Sequence, residues 1–197
     1  MAHTIPFQDT TDKRLEAFSK RLGESLRNAP GQNMIKNAGL AESFAIWLLD
    51  SKHLKGDKAT LPKEPTPYRH YQLFLDGHPS AYAVGKQLES EIQLNELVMS
   101  PLVLAIDNAI KQVDDYDNGD TPVNYLVVPS CLVYAFLLVA SEEVCLIAAP
   151  PPPRSIPKGK RLKAGMILAK KGFLKRLMIL HKTLSKESKQ KSGRRKK

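Results

Sequence analysis

Lys171, Lys175, Lys182 and Lys186 recur at i, i+4, i+11 and i+15, and Lys189 extends the series to i+18. At 3.6 residues per turn these positions fall on one face of a helix. A row of ammonium groups suits phosphate, because each neutralised phosphate of a nucleic-acid backbone also releases condensed counterions. Met166, Ala169, Phe173, Leu177, Leu180 and Leu184 interleave with the lysines as an apolar stripe on another face. Three readings of this segment stay open: a solvated helix, a helix docked by its stripe that offers lysines to phosphate, and a helix lying on a membrane. Phe173 is its lone aromatic and tryptophan is absent from it, which weighs against the membrane. The end of the chain, Lys191-Ser192-Gly193-Arg194-Arg195-Lys196-Lys197, suits non-specific backbone contact and offers no base-reading geometry.

A second basic group precedes it. Lys52, Lys55, Lys58 and Lys63 lie in a stretch broken by Gly56, Pro62, Pro65 and Pro67, which reads as a loop. Tyr68, Tyr71 and Phe74 follow, next to Arg69 and His70. Aromatics beside cations can stack unpaired bases. Packing in a core is the competing reading for these three rings.

Other chemistries find little footing. Counted from Asp115, an EF-hand loop would need an oxygen ligand at position five and glutamate at twelve, where the chain has Gly119 and Leu126. The acidic run Asp114 to Asp120 therefore reads as a solvated helix end. His3, His53, His70, His78 and His181 form no HExxH and no zinc spacing. His181 lies beside the lysine face, where an imidazole can meet phosphate or serve as an ordinary polar helix residue. No GxxxxGK[ST], GxGxxG or GxSxG occurs. Cys131 and Cys145 sit in one apolar stretch without a CxxC and read as buried reduced thiols. The expectation is a non-enzymatic protein with no catalytic residues, no metal, no cofactor and no small-molecule substrate.

Charge divides the chain sharply. Residues 1–150 carry 13 Lys/Arg against 19 Asp/Glu, a net of −6, and residues 151–197 carry 17 against one, a net of +16. The latter segment repels itself until something negative neutralises it. A nucleic-acid backbone is the first candidate and an anionic membrane the second. The N-terminus lacks the apolar core of a signal peptide. The longest apolar run, Tyr125 to Ala140, has 16 residues, is interrupted by Pro129 and Ser130, and is stopped by Glu142 and Glu143. A spanning helix needs about 20 residues. A cytoplasmic protein is expected.

The elements that would position these groups read as helices. Thr11 or Asp12 caps a first helix with Leu15, Phe18, Leu22 and Leu26 in register, ended by Pro30-Gly31. A second spans about 32–51, with Met34, Ala38, Ala41, Ala45 and Leu48 on one face. A short helix follows Thr66-Pro67, another covers 80–97, and Ser100-Pro101 caps a further one. Residues 122–149 read by length as a central buried helix from about Ser130 to Ala148, with a strand pair as the alternative. The predicted organisation is an all-α helical bundle over 1–149, a proline-rich basic linker over 150–161, a basic amphipathic helix over 162–188 and a disordered basic tail over 189–197.

The run Asn33-Met34-Ile35-Lys36-Asn37-Ala38-Gly39-Leu40-Ala41-Glu42-Ser43-Phe44-Ala45-Ile46-Trp47-Leu48 resembles the second-helix signature of the small subunits of CRISPR effector complexes, the Cmr type above all. The layout of Lys20-Arg21-Leu22 and of Thr66-Pro67-Tyr68-Arg69 agrees loosely, so the resemblance covers about residues 12–76. Asn37 and Gly39 are separated here by Ala38, and the chain continues well beyond the usual body. The resemblance implies an all-α subunit of a multisubunit RNA-guided assembly. Such a subunit contacts guide–target duplex or displaced single strand without a catalytic site. Carried over by position, Lys36 and the lysines of the following loop are its contacts. RNA or single-stranded DNA is the expected partner, together with the other subunits of the complex. The expected contacts are Lys36, Lys52, Lys55, Lys58, Lys63, Arg69, Lys171, Lys175, Lys182, Lys186, Lys189, Arg194 and Arg195. The alternatives are another RNA-binding assembly protein with a basic arm, and a membrane-surface or effector-type interaction protein.

Overall fold

The structure, a computed structural model, describes residues 13–27, 38–98, 100–117 and 123–194. The expectation of an all-α bundle is overturned. The described residues form ten strands and three α-helices. The contacts divide the chain into two compact units, residues 1–46 with 65–122 and residues 47–64 with 123–197.

The first unit is built on an antiparallel sheet. Its strands are β1 (Ala38–Leu48, whose last two residues fall in the second unit), β4 (Tyr68–Leu75), β5 (His78–Gln87) and β6 (Ile92–Val98), paired in that order. Between β4 and β5 the chain turns in two residues, with Leu75 paired to His78. Asp76 and Gly77 take φ of 48° and 81° there. Positive φ at both central residues is the two-residue turn whose twist matches the flanking strands, and Asp-Gly is among its preferred sequences. Side chains alternate across the sheet, so Tyr71, Leu73 and Leu75 share a face with Ala81 and Ala83. Helix α1 (Lys13–Arg27) covers that face with Phe18 and Leu22, and the Phe18 ring meets Tyr71 edge-on at 5.2 Å. Arg21 fastens α1 to β6 by donating to the Ile92 carbonyl at 2.9 Å. From the other face of β4, His70 stacks on Tyr82 with ring centroids 4.6 Å apart. Helix α2 (Leu102–Asp117) is capped by Ser100, whose Oγ accepts from Leu102 N–H at 3.1 Å, and lies against β5.

The second unit is a four-stranded antiparallel sheet of β7 (Val123–Val128), β8 (Val133–Leu138), β9 (Glu143–Ala148) and β10 (Ile167–Ala169). Helix α3 (Lys170–Arg194) follows. Leu126, Val128, Val133, Ala135, Leu137, Val144 and Leu146 form one face and pack with Phe173, Leu177, Met178 and Leu180 of α3. Tyr125, Phe136, Cys145 and Ile147, on the opposite face, are buried as well. The buried helix expected from Ser130 to Ala148 is therefore β8 and β9, so the alternative reading as strands describes this segment. No described residue of the segments read as helices over 32–51, 68–75 and 80–97 is helical; they hold β1, β4, β5 and β6 and the turn residues that follow or join them. The last helix starts at Lys170 and not near 162, because 167–169 pair with β9. It runs on to Arg194, through residues expected as a disordered tail.

Candidate functional site

The charge division follows the fold. Assigned by unit, the first holds 9 Lys/Arg against 14 Asp/Glu, a net of −5, and the second 21 against 6, a net of +15. The basic character therefore belongs to a packed unit that includes the early lysine-rich stretch, 47–64. Among the described residues no helix is long and apolar enough to cross a membrane.

In α3 the two stripes separate from Phe173 onward, whereas Met166 and Ala169, read as part of the apolar stripe, precede the helix, with Ala169 exposed at the end of β10. Phe173, Leu177 and Leu180 are buried against the sheet, and Leu184 packs partly against the same core. Lys171, Lys175, Lys182 and Lys186 are exposed. From Lys171 to Lys186 the row spans about 22 Å at 1.5 Å per residue. The helical position of Lys189 continues it and Arg194 ends the helix, whereas Lys36 and Arg195 lie outside the described residues.

The early lysines meet this helix through a small hairpin. Strands β2 (Leu54–Lys55) and β3 (Lys58–Ala59) pair antiparallel around Gly56, whose φ of 61° suits the tight turn. Leu54 is buried, and Ala59 and Leu61 pack partly against the same core as α3. Lys52, Lys55, Lys58 and Lys63 are exposed around it. At its tip the Asp57 carboxylate accepts a hydrogen bond from Lys182 Nζ. That bond and the ammonium charge hold the Asp57 carboxyl below its ordinary range. Lys182 thus ties the hairpin to the helix instead of standing as an unpartnered cation.

Two more lysines are held in the same way. Lys170 donates to Glu142, and Lys52 lies 3.3 Å from Asp50. Arg161 and Arg176 are spent on backbone: Arg161 Nε donates to Ile156 O at 2.8 Å and Arg176 to Arg161 O at 3.2 Å. The ammonium groups of Lys55, Lys58, Lys63, Lys171, Lys175 and Lys186 have no hydrogen-bond or ion-pair partner among the described residues. These six are the groups of the expected set that the second unit leaves ready for an anion.

Arg69 is not among them. It lies on β4 of the first unit and donates from Nε and one terminal nitrogen to Ser43 Oγ, at 3.2 and 3.0 Å, and to Ser43 O at 3.0 Å. Tyr71 is fully buried under α1, so it serves the core and not base stacking. Sequence reasoning missed one contact near the row. Cys131 Sγ lies 3.9 Å from His181 Nδ1, which fastens the short 3-10 turn Pro129–Cys131 to α3. Burial raises the Cys131 thiol pKa, which suits a packed thiol and not a nucleophile. No spacing rule links residues 131 and 181, and only the folded sheet brings them together.

Comparison of the chain with protein-family models, with curated proteins and with solved structures gives no match.

Proposed function

We propose that this protein is a non-catalytic component of a nucleoprotein assembly in the cytoplasm. It binds the phosphate backbone of RNA or single-stranded DNA through the exposed lysines of α3 and of the β2–β3 hairpin. The observation that carries this reading is the division of labour in α3. Its apolar stripe is spent on the core, so the lysines are the face it offers outward. The same burial removes the apolar surface that a membrane-lying helix would insert, which favours phosphate over bilayer. Lys55, Lys58, Lys171, Lys175 and Lys186 supply point charges without the fork geometry that reads base edges, so binding is indifferent to sequence. The stretch that resembles a CRISPR small-subunit helix is strand β1 from Ala38 onward. The reading therefore rests on the charge and geometry of the second unit and names no particular complex.

Filter binding of labelled 20-nucleotide RNA and DNA of several sequences tests it. Similar dissociation constants across sequences are expected, about 10⁻⁴–10⁻⁶ M at physiological salt. Absence of binding at low salt would overturn the proposal.

A further inference from the structure

Leu132 is held in a conformation that its side chain disfavours, and that side chain is left in water. It closes the 3-10 turn Pro129–Cys131 with φ 51° and ψ 39°, in the left-handed region. Its N–H donates to Pro129 O. Glycine, asparagine and aspartate visit that region readily, and leucine does not. The neighbours Cys131 and Val133 are fully buried, yet Leu132 is 61% exposed. Packing in the free protein therefore does not account for an apolar side chain here, and the turn would close better with asparagine or glycine. Backbone strain of this kind clusters at working sites.

The position of the turn says what that work is. Cys131 is fastened to His181 and the turn packs against α3, so the exposed Leu132 follows directly on a turn seated on the helix that carries the lysine row. We infer that Leu132 packs against the bases of a single strand whose phosphates run along α3. This rests on the proposed function and adds the part of the ligand that the lysines do not touch. Phosphate contacts fix the path of a backbone and leave the bases free. Unpaired bases present open faces to an apolar side chain, whereas a duplex hides them in the stack unless a wedge forces a step apart. Single-stranded nucleic acid is the ligand that suits both features at once.

The test uses the full chain, fluorescein-labelled 20-mers of dT and U, a 20-base-pair duplex, and Leu132→Asn, which keeps the backbone conformation accessible. Thermal melts and anisotropy titrations at several salt concentrations are read together. Leu132→Asn should melt at or above the wild-type temperature. It should bind the single strands about tenfold more weakly, because an apolar side chain is no longer covered. Its salt slope should not change, because no phosphate contact is lost. Leu132→Phe should bind at least as tightly as wild type, and wild type should prefer single strand to duplex. Unchanged affinity in Leu132→Asn would overturn the inference and leave the lysine row standing. A lowered melting temperature would assign Leu132 to the fold and overturn it as well. Vesicles of phosphatidylserine and phosphatidylcholine form a further arm. Leu132-dependent pelleting without an effect on oligonucleotides would make this residue a bilayer anchor instead. Failure of the wild type to bind any oligonucleotide would defeat both this inference and the proposed function.

Discussion

Gly85 gives opposite signs for a strand and a helix at the same place. In the structure it lies in β5, facing Tyr71 and the edge strand β6. A Cβ added there would stand 2.8 Å from Ile92 Cγ2, 3.2 Å from Tyr71 Cε2 and 3.4 Å from the Gln93 carbonyl. The first distance lies inside van der Waals contact. Tyr71 and Ile92 are almost fully buried, so neither can swing into solvent. Overpacking of this kind costs about 1–3 kcal/mol. Replacing a flexible glycine returns roughly 0.5–1 kcal/mol. A 2.8 Å approach puts the overpacking cost in the upper half of its range, so Gly85→Ala should lose about 1–2.5 kcal/mol, a fall of roughly 2–10 °C in melting temperature for a chain of this size. Had residues 80–97 been the helix that the sequence suggests, the same change would stabilise by about 1 kcal/mol. Differential scanning calorimetry with circular dichroism reads the sign directly. A raised melting temperature would refute the strand packing described for β4, β5 and β6.

His70 is fully buried, and burial pushes its pKa down from 6.5 to about 3. Below pH 6.5 the unfolded chain takes up a proton that the folded unit refuses until about pH 3. Stability is therefore full above pH 6.5 and falls on acidification, by about 2 kcal/mol between pH 6.5 and 5; urea titrations should show this slope, and a flat profile, or no flattening in His70→Phe, would contradict it. Phe173→Ala should cost about 3–5 kcal/mol in thermal or urea unfolding, because the ring is fully buried between α3 and the sheet. Replacing the exposed Lys171 and Lys175 by Gln should leave the melting temperature unchanged, since surface changes stay within about 0.5 kcal/mol. Cys131 and Cys145 are buried with raised thiol pKa values, that of Cys145 about 11, so a thiol reagent at pH 8 should label them only as fast as the second unit opens, and rapid labelling of the folded chain would place them at the surface.

The helices α1 and α2 were legible because local signals carried them. Phe18 and Leu22 recur at four residues, and Ser100-Pro101 is a cap followed by a first-turn proline. The first unit's strands were misread where apolar residues happen to satisfy both periods. Ala38, Ala41, Ala45 and Leu48 have helical spacing, whereas Phe44 and Ile46, two apart, are the buried ones among the β1 residues whose burial is described. One signal was there to be used. Asp76-Gly77 after the aromatic-rich run Tyr68–Leu75 is a hairpin turn in its own right, and it fixes β4 against β5. In β7, β8 and β9 the alternation disappears, because Tyr125, Phe136 and Cys145 on one face are as buried as Leu126, Ala135 and Leu146 on the other. A strand buried on both faces has no period to show, and only its short length separates it from a helix. The lysine row and the opposing stripe from Phe173 to Leu184 were readable because they lie in one helix. The Asp57–Lys182 bond, the Cys131–His181 contact and the strained Leu132 were not, since each depends on chain segments brought together only by the tertiary fold or on a backbone angle that no residue type announces.

The central claim is that the second unit holds phosphate with the exposed lysines of α3. Its most direct test is the salt dependence of oligonucleotide binding by the full chain, wild type against Lys171→Gln/Lys175→Gln/Lys186→Gln. Three lost contacts to a single strand should shrink the slope of log affinity against log salt by about 2. Affinity should fall alike for every sequence, and helix content and melting temperature should not change. A triple variant with the wild-type slope and affinity would contradict the account.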